Sequence, residues 1–150
     1  MVKYEYQDLE DKTKIPDDCT EFYCYNYKLT ELPELPNLLE ILWCENNILT
    51  SLPKLPKSIK RLICGFNNLT ELPELPNSLI NLYCCNNKLI ELPELPNSLL
   101  TLECNFNNIK YLSPNNCQVM KKCPWLLVLD NPFSAGFTNI KDFREYLMNL

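Results

Sequence analysis

The chain has 150 residues, 46% apolar and 22% charged, with a net charge of −5, which is a globular composition of single-domain size. It contains no histidine, and this excludes histidine acid–base chemistry, His-containing zinc sites and Ser-His-Asp or Cys-His catalysis. Two glycines leave no glycine-rich phosphate loop, the acidic balance argues against nucleic acid or anionic lipid as a partner, and no apolar run approaches the roughly 18 residues of a membrane span.

Residues 1–18 are polar and mixed in charge. The opening Met1-Val2-Lys3-Tyr4-Glu5-Tyr6 has no apolar stretch before a small-residue cleavage site, so no secretory signal is expected. Tyr4, Tyr6 and Leu9 suit a cap over the unit that follows, whose open end would expose core and sheet edge. A disordered leader is the equal alternative.

From residue 19 a unit recurs every twenty residues without insertion. Leu39, Leu42, Cys44, Asn47, Leu49, Leu52 and Leu55 return as Ile59, Leu62, Cys64, Asn67, Leu69, Leu72 and Leu75. They return again from Leu79 to Leu95 and from Leu99 to Leu112. A degenerate earlier copy runs from Cys19 through Phe22 and Cys24, with Tyr27 in place of the Asn. A last copy, after a longer coil, holds Cys123, Leu126, Val128, Asn131 and Phe133. Six coils thus cover residues 19–137 of a single domain spanning 1–150.

Each unit has a direct physical reading. Leu-x-Cys is a short alternation that suits a three- to four-residue strand with one buried face. The Asn that follows can donate to and accept from peptide groups stranded in a buried turn, and stacked coils would make it a ladder. The Leu-Pro-x-Leu-Pro return matches the three-residue turn of polyproline II and excludes a helix. No single coil can bury its own leucines, so they must stack on neighbours. At the C-terminal end, Asn139 is a helix cap with Asp142 in the first turn. Ile140, Phe143, Leu147 and Leu150 form one apolar stripe over residues 138–150. That helix is expected to close the solenoid; docking to a partner, or continuation into a further domain, is the alternative.

The pattern LxxLxCxxNxLxxLPxLPxx resembles the leucine-rich repeat. Its length and doubled Leu-Pro are similar to the short repeats of secreted bacterial effectors, and its inner-strand Cys with Asn-rich spacers is similar to repeat proteins of giant amoeba-infecting viruses. The resemblance implies an α/β-type leucine-rich-repeat solenoid, with a short parallel β-sheet on the concave face, an extended polyproline-like convex face and a C-terminal capping helix. Effectors that are ubiquitin ligases carry a separate catalytic domain after the repeats, and nothing of that size is present in these 150 residues.

There are nine cysteines. Cys24, Cys44, Cys64, Cys84 and Cys104 share one inward position and are expected to stack as small apolar groups. A strand spacing of roughly 4.8 Å suits disulfides poorly, and an odd total without a secretory signal points to a reducing, cytoplasmic setting. No Cys-x2-Cys pair exists, so neither a metal nor another cofactor is expected, and a thiol or metal sensor is the minority reading. Cys85 falls on the open face and is expected to be the most reactive thiol.

The open face should present three columns. The central one is Tyr23, Trp43, Ile63, Tyr83 and Glu103. Before it come Glu21, Ile41, Arg61, Asn81 and Thr101, and after it Tyr25, Glu45, Gly65, Cys85 and Asn105. The return Glu-Leu-Pro-Glu-Leu-Pro-Asn occurs three times within the chain, whereas these columns change from coil to coil. Tyr23, Tyr25, Ile41, Trp43, Glu45, Arg61, Ile63, Asn81, Tyr83, Cys85 and Glu103 are therefore the candidate partner-binding residues, because Tyr and Trp dominate interface hot spots. The competing view is that aromatics merely suit strands. Phe66 and Phe106, beside the ladder Asn, are expected to fill the coil interior. Glu31, Glu34, Glu71, Glu74, Glu91 and Glu94, interrupted by Lys54 and Lys57, make a repeated acidic convex surface that favours solubility.

Four functions compete. The leading one is a non-catalytic module that binds a protein or peptide, with neither nucleic acid nor membrane as partner. If the resemblance holds, it is a viral or effector protein acting on a host protein in the host cytoplasm. An architectural segment of a larger assembly is the alternative. An enzyme built on Cys85 lacks any His to activate the thiol, and a sensor built on the cysteines comes last.

Overall fold

The computed structural model describes residues 1–9 and 12–150. Its strands are each three residues long: β1 (Lys3–Glu5), β2 (Glu21–Tyr23), β3 (Ile41–Trp43), β4 (Arg61–Ile63), β5 (Asn81–Tyr83), β6 (Thr101–Glu103) and β7 (Trp125–Leu127). They form one seven-stranded parallel sheet in sequence order. Register is constant, so Phe22, Leu42, Leu62, Leu82, Leu102 and Leu126 align across it. This is a leucine-rich-repeat solenoid, with the sheet on one face and extended returns on the other.

The core is the repeated residues. Phe22, Leu42, Leu62, Leu82 and Leu102 have no exposed surface, nor do Cys24, Cys44, Cys64, Cys84 and Cys104. All nine thiols are free. The Asn ladder ties coil to coil. Asn87 Nδ2 donates to the Cys84 carbonyl of its own coil at 3.2 Å and to the Cys64 carbonyl of the preceding coil at 3.0 Å. Its Oδ1 accepts from Leu69 N at 2.9 Å. Asn47, Asn67, Asn107 and Asn131 repeat the pattern. A second ladder, not anticipated, runs through Ser58, Ser78 and Ser98. Their hydroxyls donate to Leu39, Ile59 and Leu79 carbonyls at 2.6 Å.

Two expectations are extended and two are corrected. The N-terminal segment covers the first coil, for Lys3–Glu5 adds a strand to the sheet and Tyr4 and Tyr6 pack against the core. Tyr4 lies in register with Phe22, and Leu9 and Ile15 are buried in the core; residues 10 and 11 of that segment lie outside the described residues. The signal was present in Lys3-Tyr4-Glu5-Tyr6, a polar–aromatic alternation at strand spacing.

The longer coil contains helix α1 (Pro114–Lys122), capped by Ser113 Oγ accepting from Asn116 N, with Pro114 in the first turn. Ser-Pro at a helix start is itself a sequence signature. The step from Cys104 to Val128 is 24 residues rather than 20, and the extra length admits a helix. Buried Asn116 replaces the missing return by accepting from Leu95 N at 2.8 Å and donating to the Pro93 carbonyl at 3.1 Å.

Helix α2 (Ile140–Met148) begins at Asn139, whose Oδ1 accepts from Lys141 N and Asp142 N. Phe143 and Leu147 are buried, but Leu150 lies beyond the helix and is 60% exposed, so the stripe is shorter than its spacing implied. Phe143 meets Phe133 and Phe137 at 5.7 and 5.3 Å between centroids. Arg144 Nη2 donates to the Cys123 and Pro124 carbonyls at 3.0 Å, which fastens α2 beside the last strand.

Phe66 and Phe106 are not core. They are 50% and 53% exposed. The residue two after each inner-strand position has positive φ in every coil: Asn26, Asn46, Phe66, Asn86, Phe106 and Asp130, at 53–67°. From the second of these coils on, that left-handed turn directs the following Asn inward and its own side chain outward. Asn and Asp tolerate it, while a Phe pays steric strain of roughly 1–2 kcal/mol.

Candidate functional site

The open face of the sheet is set by alternation, since β2 to β5 each bury the middle residue and present the two flanking ones. The central column is Glu5, Tyr23, Trp43, Ile63, Tyr83, Glu103 and Leu127. The column before it is Lys3, Glu21, Ile41, Arg61, Asn81, Thr101 and Trp125. The column after it holds Tyr25, Glu45, Gly65, Cys85 and Asn105, one residue past each cysteine.

The eleven candidate residues therefore share one face. Tyr23, Ile41, Trp43, Glu45, Ile63, Asn81, Tyr83, Cys85 and Glu103 are half-buried, Arg61 is exposed, and Tyr25 is 39% exposed. Trp43 sits in an aromatic group, 5.9 Å from the Tyr23 ring and 5.1 Å from the Tyr25 ring. Trp43 Nε1 donates to Glu45 Oε2 at 3.0 Å, and Tyr23 OH donates to Glu21 Oε2 at 2.9 Å. Lys3 Nζ stands 4.3 Å over the Tyr23 ring and pairs with Glu5 at 3.2 Å. Asn81 Nδ2 donates to Thr101 Oγ1 at 3.0 Å, and Thr101 is buried rather than presented.

Burial and then the nearby Glu45 carboxylate raise the Glu103 carboxyl above its ordinary range. Burial chiefly, with Glu103 and Glu45 adding to it, also raises the Cys85 thiol. Cys85 is therefore accessible but weakly acidic, the opposite of an activated nucleophile. Among the described residues no group of three or more His, Cys, Asp or Glu is placed to hold a metal ion. Among them also, no helix is long and apolar enough to cross a membrane.

The face extends beyond the candidates at both ends. Trp125 is 73% and Leu127 50% exposed at the last strand, and Lys3 and Glu5 flank Tyr4 at the first. Leu126, two residues before Val128, marked the last strand in the sequence, so its two neighbours were legible there.

Comparison with solved structures places this geometry among effector repeats. The leucine-rich-repeat domain of a Shigella effector superposes with a TM-score of 0.70 at 31% identity, over 75% of this chain and 53% of that one. YopM from Yersinia enterocolitica gives 0.70 at 40% identity, over 75% and 25%. YopM from Yersinia pestis, a leucine-rich effector protein, gives 0.73 at 33% identity, over 79% and 33%. No family model and no curated protein matches the chain. The chain is a leucine-rich-repeat protein of the short, bacterial-effector-like type. It spans about half or less of the length of these effectors.

Proposed function

We propose that the chain is a non-catalytic interaction module whose sheet face binds a partner protein or peptide, with the Tyr23, Tyr25, Trp43 and Tyr83 strip at its centre. The observation that carries this reading is the contrast between frame and face. The returns repeat almost verbatim and the ladders are uniform, while the open columns vary coil by coil and gather touching aromatic rings. Rigid amphipathic rings on a preformed sheet bind with little loss of rotamer freedom. A likeness to bacterial effectors supports a role against a host protein, whether for an effector or a viral protein. Nine free thiols suit a reducing cytoplasm.

The test compares wild type with a Trp43→Ala/Tyr83→Ala variant in capture from host-cell lysate. A protein retained by wild type and lost by the variant, at an unchanged urea midpoint, is the expected outcome. Identical capture profiles refute the reading.

A further inference from the structure

The column of Tyr25, Glu45, Gly65, Cys85 and Asn105 has its two smallest side chains side by side in the middle. Glu45 stands on one side of that gap, and Glu103 with Asn105 on the other. A Cβ built on Gly65 would lie 3.1 Å from Cys85 Sγ, 3.2 Å from the Cys85 carbonyl and 3.7 Å from Glu45 Oε1. Gly65 is itself buried and the Cys85 thiol crowds its Cβ position, so the two short residues leave only a shallow trough in the sheet face, covered by the thiol and reached by a Glu45 carboxylate oxygen.

The trough is supplied with acceptors and lacks a cation. Glu45 is oriented by the Trp43 indole. Among the described residues Glu103 accepts no hydrogen bond, and neither carboxylate has an ion-pair partner. Asn105 Oδ1 is buried and has no donor. Arg61, the cation of the same coil, is four residues back, about 13 Å along the chain. The rim is aromatic. Trp43 and Tyr25 lie beyond Glu45, while half-exposed Phe66 and Phe106 stand one residue past Gly65 and Asn105. The whole face has the same bias, with Glu5, Glu21, Glu45 and Glu103 against Lys3 and Arg61.

We propose that this trough receives one basic side chain, Arg or Lys, from a partner protein segment, seated over the Cys85 thiol between Glu45 and Glu103 with an apolar neighbour against Trp43 and Tyr25. The inference rests on the binding role proposed above and adds the chemistry of the partner. A guanidinium carries five donors and stacks on aromatic faces, and it would satisfy both carboxylates. An acidic or purely apolar segment would leave the carboxylates desolvated and unpaired, which selects against it.

The test selects random dodecapeptides by phage display on the intact chain, and counter-screens the winners on Trp43→Ala and on Glu45→Gln/Glu103→Gln. Winners should share one Arg or Lys beside an aromatic or large aliphatic residue, and should bind the Gln variant at least tenfold more weakly at low salt. Winners that need Trp43 but show no basic preference overturn this inference and leave the sheet-face reading standing. Winners indifferent to both variants overturn both. A measurement that needs no peptide compares the rate at Cys85 of cationic 2-aminoethyl methanethiosulfonate with that of anionic 2-sulfonatoethyl methanethiosulfonate. The cationic reagent should be favoured about tenfold, and the preference should collapse in Glu45→Gln/Glu103→Gln. Cys117, which has Lys121 nearby, should show no such preference, and equal rates at Cys85 overturn the proposal.

Discussion

Removing adjacent rungs of the Asn ladder should destabilise the chain by more than the sum of the single removals. The carbonyl of Cys64 accepts from Asn67 Nδ2 at 3.2 Å and from Asn87 Nδ2 at 3.0 Å. In Asn87→Ala the buried Leu69 amide loses its acceptor, while the Cys64 and Cys84 carbonyls each keep one donor. An orphaned buried amide costs about 1–3 kcal/mol and a lost second bond at each of the two carbonyls about 1 kcal/mol, so each single substitution should cost about 3–5 kcal/mol. The Asn67→Ala/Asn87→Ala double variant strips the Cys64 carbonyl completely. It should therefore cost about 1–2 kcal/mol beyond the sum. Asn47 and Asn107 share no carbonyl, so the Asn47→Ala/Asn107→Ala pair should be additive within about 0.5 kcal/mol. Urea unfolding gives all the values, with a protecting osmolyte to hold the double variants in range. Equal coupling in the two pairs would refute the shared-carbonyl account.

Phe66→Asn should raise stability by about 0.5–1 kcal/mol, because Asn accepts the left-handed turn that Phe enters under strain; a loss above about 1 kcal/mol in urea unfolding would show that the ring packs. Alkylation of the intact protein followed by peptide mapping should modify half-buried Cys85 and Cys117 before Cys24, Cys44, Cys64, Cys84 and Cys104. Burial pushes the Cys24 thiol up to about 12, and early labelling of Cys44 or Cys64 would contradict the register. The rate at Cys85 should still be climbing above about pH 9, since its thiol is raised as well. Because the native Glu103 carboxyl is raised, its ionisation opposes folding, and wild type loses stability as pH rises through that titration. Glu103→Gln should therefore be the more stable form at pH 7, with its advantage gone below about pH 4; a constant difference across pH would disprove the linkage.

The repeat was legible because the solenoid imposes one rule on every coil. Each inward position, each ladder Asn and each return proline answers the same local need in every coil, so period, strand, buried cysteine column and open-face columns could all be read before any coordinates. Departures from the period hid the rest. Tyr4 lies only 18 residues before Phe22 and the last coil runs four residues long, so β1 and α1 fell outside the template. Phe66 and Phe106 were misread because hydrophobicity argues for burial, whereas side-chain direction at a turn follows the sign of φ, which residue type alone does not declare when the residue is neither Gly nor Asn. The identity of the open-face residues was likewise a matter of sequence. Their mutual geometry came from stacking: Trp43 touches residues twenty and eighteen positions away, and the shallow trough at Gly65 and Cys85 is bounded by Glu45 and Glu103 from two other coils. Sequence periodicity sets which way a side chain faces. What it meets there depends on neighbours in other coils, and that was decided by tertiary structure alone.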